Sequence, residues 1–148
     1  MTAGLTFAVP GKPVPKQRPR MTRWGSVYTP AETTRYERLV AKHARAAGAA
    51  PMTGPVAVDI NVRFPIPKSW TKARRSAADG GPHTQRPDID NLQKSVLDGL
   101  NGVAFSDDSQ VCSVSAVKTW DAACADGCVE INVRPFQAPS ASRVSSGP

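Results

Sequence analysis

Val56-Ala57-Val58-Asp59-Ile60-Asn61-Val62-Arg63-Phe64 is the stretch that decides the fold. Val56, Val58, Ile60, Val62 and Phe64 fall at every second position, and Ala57, Asp59, Asn61 and Arg63 fall between them. A period of two puts the first set on one face of a β-strand and the second on the other, so the strand is buried on one side only. Pro65 and Pro67 end it, because proline breaks the hydrogen-bond ladder.

Upstream, Thr29-Pro30-Ala31-Glu32 reads as a helix start. Thr29 is placed to cap, Pro30 suits the first helical position, and Glu32 completes a capping box. Tyr36, Leu39, Val40, His43, Ala44 and Ala47 then form one apolar stripe, and Gly48 is a natural stop. Earlier still, residues 5–9 read as a short strand ended by Pro10-Gly11. The run Lys12-Pro13-Val14-Pro15-Lys16-Gln17-Arg18-Pro19-Arg20 follows as an extended, proline-rich basic loop.

Downstream, residues 68–86 read as a long basic loop, the kind that in a small domain is functional or disordered. A helix from Asp90 or Asn91 to about Asn101 carries Leu92, Val96 and Leu100 on one face, widened by Leu97, with Gly102 as terminator. Strands over 111–119 and 128–133 are joined by a turn near Asp126-Gly127. The order β-α-β-α-β-β implies an α+β fold in two layers: one mixed sheet with two helices packed on it. Residues 1–136 make a single domain, and residues 137–148, rich in Ser, Ala and Pro, read as a disordered tail.

The chain has 148 residues and a net charge of +7. Of its 19 Lys and Arg residues, 15 lie between Lys12 and Arg86, against four acids; beyond Pro87 four basic residues face eight acids. A phosphate-binding front half thus feeds an acidic cluster, as suits a protein that carries a metal to a phosphate. A solvated surface of uneven charge is the alternative. Three cysteines, Cys112, Cys124 and Cys128, suit a reducing compartment better than a disulfide framework; Cys124 and Cys128 lack the second pair that zinc needs. No apolar run approaches the ~20 residues of a membrane span and no secretory signal is visible, so a cytoplasmic location is expected.

The acidic cluster is centred on Arg86-Pro87-Asp88-Ile89-Asp90-Asn91-Leu92-Gln93-Lys94. If the backbone before the helix is extended, Asp88 and Asp90 project the same way while Ile89 turns inward. Two converging carboxylates without a counter-charge invite a divalent cation. Lys94, one helical turn past Asp90, is placed to stabilise phosphate charge. Equally, Asp90 or Asn91 caps the helix and Lys94 is a surface pair. A second acidic element, Asp107-Asp108-Ser109-Gln110-Val111, follows the helix and can return near the first pair, or is simply an acidic turn. His83 is within sequence reach of phosphate or metal, and His43 reads as a core or interface histidine. Trp24, Tyr28 and Trp70, among the basic residues, can stack on unpaired bases or pack structurally.

These elements together resemble the RusA-type Holliday junction resolvases, a family common in phages and prophages. The resemblance spans roughly residues 7–133. It rests on the run from Gly11 to Arg20, on Tyr28-Thr29-Pro30, on the Asp88–Lys94 element, on Leu97-Asp98-Gly99-Leu100-Asn101-Gly102 and on Asp107-Asp108-Ser109-Gln110-Val111. It implies that Asp88, Asp90 and Asp108 bind magnesium, with manganese as a possible substitute, and that Lys94 is the catalytic lysine. It implies DNA contacts from Lys16, Arg18 and Arg20; Lys12, Lys72, Arg74, Arg75 and Arg86 join them on charge. It also implies a homodimer that cuts opposed strands of a four-way DNA junction. A flap or fork nuclease, or a non-catalytic junction-binding module, are the alternatives.

Overall fold

The computed structural model describes residues 4–28 and 30–137. In chain order the elements are β1 (Leu5–Pro10), β2 (Arg20–Met21), β3 (Val27–Tyr28), α1 (Ala31–Ala46), β4 (Val56–Phe64), α2 (Lys72–Ala78), α3 (Ile89–Leu100), β5 (Val111–Trp120) and β6 (Cys128–Pro135). The four long strands form one mixed sheet in the order β1-β6-β4-β5; β2 and β3 form a separate small ribbon. The fold is α+β, with one sheet and helices.

The alternation of β4 sets the layers. Ile60 sits in register with Ile131 of β6, which faces Phe7 of β1; Val62 lines up with Val129, which faces Val9. All six are buried, so a continuous apolar face runs across three strands. The opposite face carries polar pairs. Arg63 bridges Asp121 and Glu130, Asp59 pairs with Arg134, and Asn132 donates to Thr6. Such partly exposed pairs add little stability and mark the face that meets water.

The helices cover the apolar face. α1 turns Thr33, Tyr36, Val40 and Ala44 inward, and α3 turns in Leu92, Ser95, Val96, Gly99 and Leu100. Ala47, read from spacing as part of the stripe, is the exposed C-cap instead. The two helices meet at Gly99, where a Cβ would lie 2.8 Å from the Val40 Cβ and 2.9 Å from the Glu37 carbonyl oxygen. Only glycine permits that approach.

Several expectations need correction. α1 takes Pro30 as its N-cap, with no side-chain cap bond; Thr29 lies outside the described residues, as does the tail over 138–148. The 68–86 segment is not all loop. Thr71 accepts a hydrogen bond from the Arg74 backbone N–H (3.2 Å) and starts α2. α2 buries no residue, so it left no apolar stripe to read. The turn near Gly127 joins β5 to β6 as expected, and β4 lies between those two strands in the sheet.

Candidate active site

The expected extended run through Asp90 is shorter than the sequence suggested. Asp88 is the N-cap of α3 (φ −70°, ψ 146°), and Ile89 already begins the helix. Ile89 is 38% exposed rather than turned inward, and lines a groove beside β5. Asp88 makes no capping bond with its side chain, and Asp90 accepts only from the adjacent Asn91 N–H (3.0 Å). The capping reading, which gave the cap to Asp90 or Asn91, is therefore wrong about position and about bonding: the N-cap is Asp88, and it makes no side-chain cap bond. Among the described residues neither carboxylate has a cation partner.

Both aspartates line two grooves at once. The larger, about 930 Å³, is bordered by Lys12, Arg18, Arg20 and Arg86. The smaller, about 530 Å³, is bordered by His83, Thr84, Ala116 and Lys118. Asp88 and Asp90 thus stand on the ridge where a basic channel meets a narrow one. The N-terminal end of α3 lies beneath them, where the helix dipole favours negative charge.

The other expected site residues divide sharply. Lys12, Arg18, Arg20 and Arg86 line the basic groove with the pair. Lys16 lines it too but is already committed: its ammonium donates to Glu37 (2.6 Å) and pairs with Asp98 (3.0 Å). Burial pulls its pKa down, yet those two carboxylates outweigh burial and raise it. Lys16 therefore fastens the proline-rich loop to α1 and α3, helped by its N–H on the Asn91 carbonyl (2.8 Å). Lys94 does not line either groove; it pairs with Asp98 at 3.3 Å. Lys72, Arg74 and Arg75 sit on α2, away from both grooves, and the Arg74 guanidinium lies 3.7 Å over the Trp70 ring. Trp70 in turn packs edge-on against Trp120, which is the structural reading of that tryptophan. Trp24 is 86% exposed.

Asp108 is not brought to the pair within one chain. It opens a short 3-10 turn (Asp108–Gln110) directly before β5, whereas Asp88 and Asp90 lie beside Ala116–Lys118 further along that strand. Five residues of strand separate Val111 from Ala116, roughly 17 Å. Among the described residues, no three His, Cys, Asp or Glu side chains are grouped to hold a metal ion. Asp107 is occupied locally. It caps the turn through Ser109, whose hydroxyl and N–H lower its pKa, while Gln110 ties the turn to Met52 and Gly54. Asp108 is left as the free carboxylate of the two. The pair suits a magnesium ion, which takes one or two carboxylates and fills its remaining positions with water and phosphate oxygen.

Two residues at this site were not foreseen in these roles. Lys118 shares a row with Val62, which its strand pairs it to, so it lies on the helix-covered face. Its ammonium donates to the carbonyls of Gln85 and Pro87, both at 2.7 Å, and so pins the segment leading to Asp88. The signal was present: a lysine in phase with Val114 and Ala116 breaks the apolar period of the strand. His83 is buried, stacked on Phe64 (centroids 3.9 Å) and tilted against Trp120 (4.2 Å), with its Nδ1 unpartnered. Burial, then the Lys118 charge, lowers its pKa, so the ring is neutral at pH 7. The whole 80–87 segment is stitched along β5 by Gly80 N–H to Trp120 O, Trp120 N–H to Gly81 O and His83 N–H to Lys118 O.

No helix among the described residues is long and apolar enough to cross a membrane. The sequence profile of the family described as "Endodeoxyribonuclease RusA" matches residues 10–134. A Bacillus subtilis (strain 168) protein, "Uncharacterized protein YqaN", is 37% identical over 126 residues, covering 78% of this chain and 87% of that protein. The match spans the basic loop, both grooves and the Asp107-Asp108 turn, and the chain therefore belongs to the RusA endodeoxyribonuclease family.

Proposed function

We propose that the chain is a magnesium-dependent, structure-selective endonuclease that resolves four-way DNA junctions by hydrolysing phosphodiesters. The observation that carries this reading is the uncompensated Asp88–Asp90 pair at the mouth of a groove lined by Lys12, Arg18, Arg20 and Arg86. Asp88 and Asp90 would hold the ion, which when bound supplies Lewis acidity at the scissile phosphate. The cations of the groove bind the flanking phosphates and set the strand over the pair. Lys118 keeps the Asp88 segment in place by holding two of its carbonyls. A homodimer supplies the two symmetric sites that a two-fold junction requires, and gives Asp108 a second chain on which to act.

The test is cleavage of a labelled four-way junction beside linear duplex, with magnesium and with chelator. Wild type is expected to cut the junction only with magnesium. Asp90→Asn is expected to retain junction binding and to lose at least a hundredfold in cutting rate. Undiminished cutting by that purified variant removes the pair from the site. The scattered third carboxylate favours one other reading, a junction-binding module without catalysis. It predicts no magnesium-dependent cleavage of any branched substrate.

A further inference from the structure

A third groove, about 470 Å³, runs along α1. Its floor is apolar, with Val14, Tyr36 and Leu39; its rim carries Lys12, Arg35, Arg38 and Lys42. The three α1 cations fall at offsets of 0, 3 and 7, so one helix face presents a positive charge at each turn. Arg45 continues the line three residues on. Among the described residues none of these five cations is in an ion pair, whereas Lys16, Arg63 and Arg134 all are. A row of unpaired charges along one helix face is complementary to a polyanion.

The groove also connects with the basic channel at the aspartates, because Lys12 and Glu32 line both. Glu32 is the one anion on this rim.

We propose that the α1 groove is a second DNA-binding site, which holds the sugar–phosphate backbone of one duplex arm. Arg35, Arg38, Lys42 and Lys12 pair with phosphates. From Arg35 to Lys42 the helix rises roughly 10 Å, about the distance a duplex strand advances along its axis over three phosphates at about 3.4 Å each. A linear row continuous with the cleft fits a polymer backbone better than a compact phosphate, which needs converging donors. The proposal rests on the proposed function only in taking DNA as the ligand.

The experiment is fluorescence anisotropy of a labelled four-way junction and a linear duplex of one arm's length, with the full chain in chelator, across a salt series. The triple variant Arg35→Gln/Arg38→Gln/Lys42→Gln is expected to lose at least tenfold in affinity for both DNAs. Its log affinity should fall less steeply with log salt, by about 2–3 in slope. Unaltered affinity and slope in a triple variant that melts like wild type overturns the proposal. So does competition by inorganic phosphate or a mononucleotide at concentrations that leave the salt slope intact, or a loss of self-association in place of a loss of DNA affinity. Wild-type cleavage in magnesium is scored separately. A chain that binds through α1 and never cuts removes the nuclease reading alone; one that cuts while the triple variant binds normally removes the groove alone.

Discussion

A lysine at an inward strand position is costly unless its ammonium finds acceptors. Lys118 finds two, and both belong to the segment that delivers Asp88. Single residues like this were the hardest to see in the sequence. Asp88 and Asp90 were legible as neighbours because they are two positions apart in sequence, and both line the same two grooves. Lys118 acts on residues more than thirty positions away, and only pairing with β4 shows which way it faces. Lys16 misled for the same reason: its place in a basic run suggested DNA, and its partners Glu37 and Asp98 come from two distant helices. His83 gives this scale a measurable consequence. Its pKa is lowered from 6.5 by burial first and by Lys118 second. The unfolded chain therefore holds more protons than the folded one just below the ordinary histidine range. His83 thus contributes its full stability above that range and loses it as pH falls through 6.5 toward the lower folded value. His83→Phe keeps an aromatic ring between Phe64 and Trp120 and removes the unpartnered Nδ1. Its stability at pH 7.5 is expected within about 1 kcal/mol of wild type. Between pH 7.5 and 5.5 its urea midpoint should fall less than that of wild type.

At the scale of elements, periodicity served where burial was one-sided. β4, α1 and α3 each show an apolar face, and each was legible. α2 buries nothing, so the capping Thr71 was its only local signal, and a run of basic residues obscured it. β2 and β3 are two residues each and pair only with one another, too short for any pattern. The bounds of α3 moved because its start is set by where Asp88 leaves the extended region, not by the apolar stripe. Gly99 shows what holds α3, and so the aspartates, against α1. In an isolated helix Gly→Ala gains about 1 kcal/mol. Here the new methyl meets Val40 and the Glu37 backbone at 2.8–2.9 Å, and overpacking of this kind costs about 1–3 kcal/mol. Gly99→Ala is expected to lower stability by up to about 2 kcal/mol net, read from chemical denaturation.

At the scale of the molecule, charge divides as the sequence indicated: basic side chains line the channel, and the free acids stand at its ridge and at the far end of β5. That far end was not legible, because the return path of the chain, not the spacing of acids, decides where Asp108 falls. If Asp108 serves the site of a second copy, equal amounts of Asp90→Asn and Asp108→Asn, each inactive alone, should recover cleavage when co-refolded. In a mixed dimer one site then has every carboxylate intact. Continued inactivity of the mixture, with subunit exchange verified, would mean that Asp108 does not act in the site of the second copy. The segment over 80–87 has one more effect. β5 is an edge strand, and this segment pairs with Lys118 and Trp120 along its outer side. An uncovered ten-residue edge would be a template on which further chains could add. The piece of backbone that leads to Asp88 therefore also shields the Lys118–Trp120 end of this edge. Loosening it to change substrate range would be expected to make the protein aggregate before it changed what it cuts.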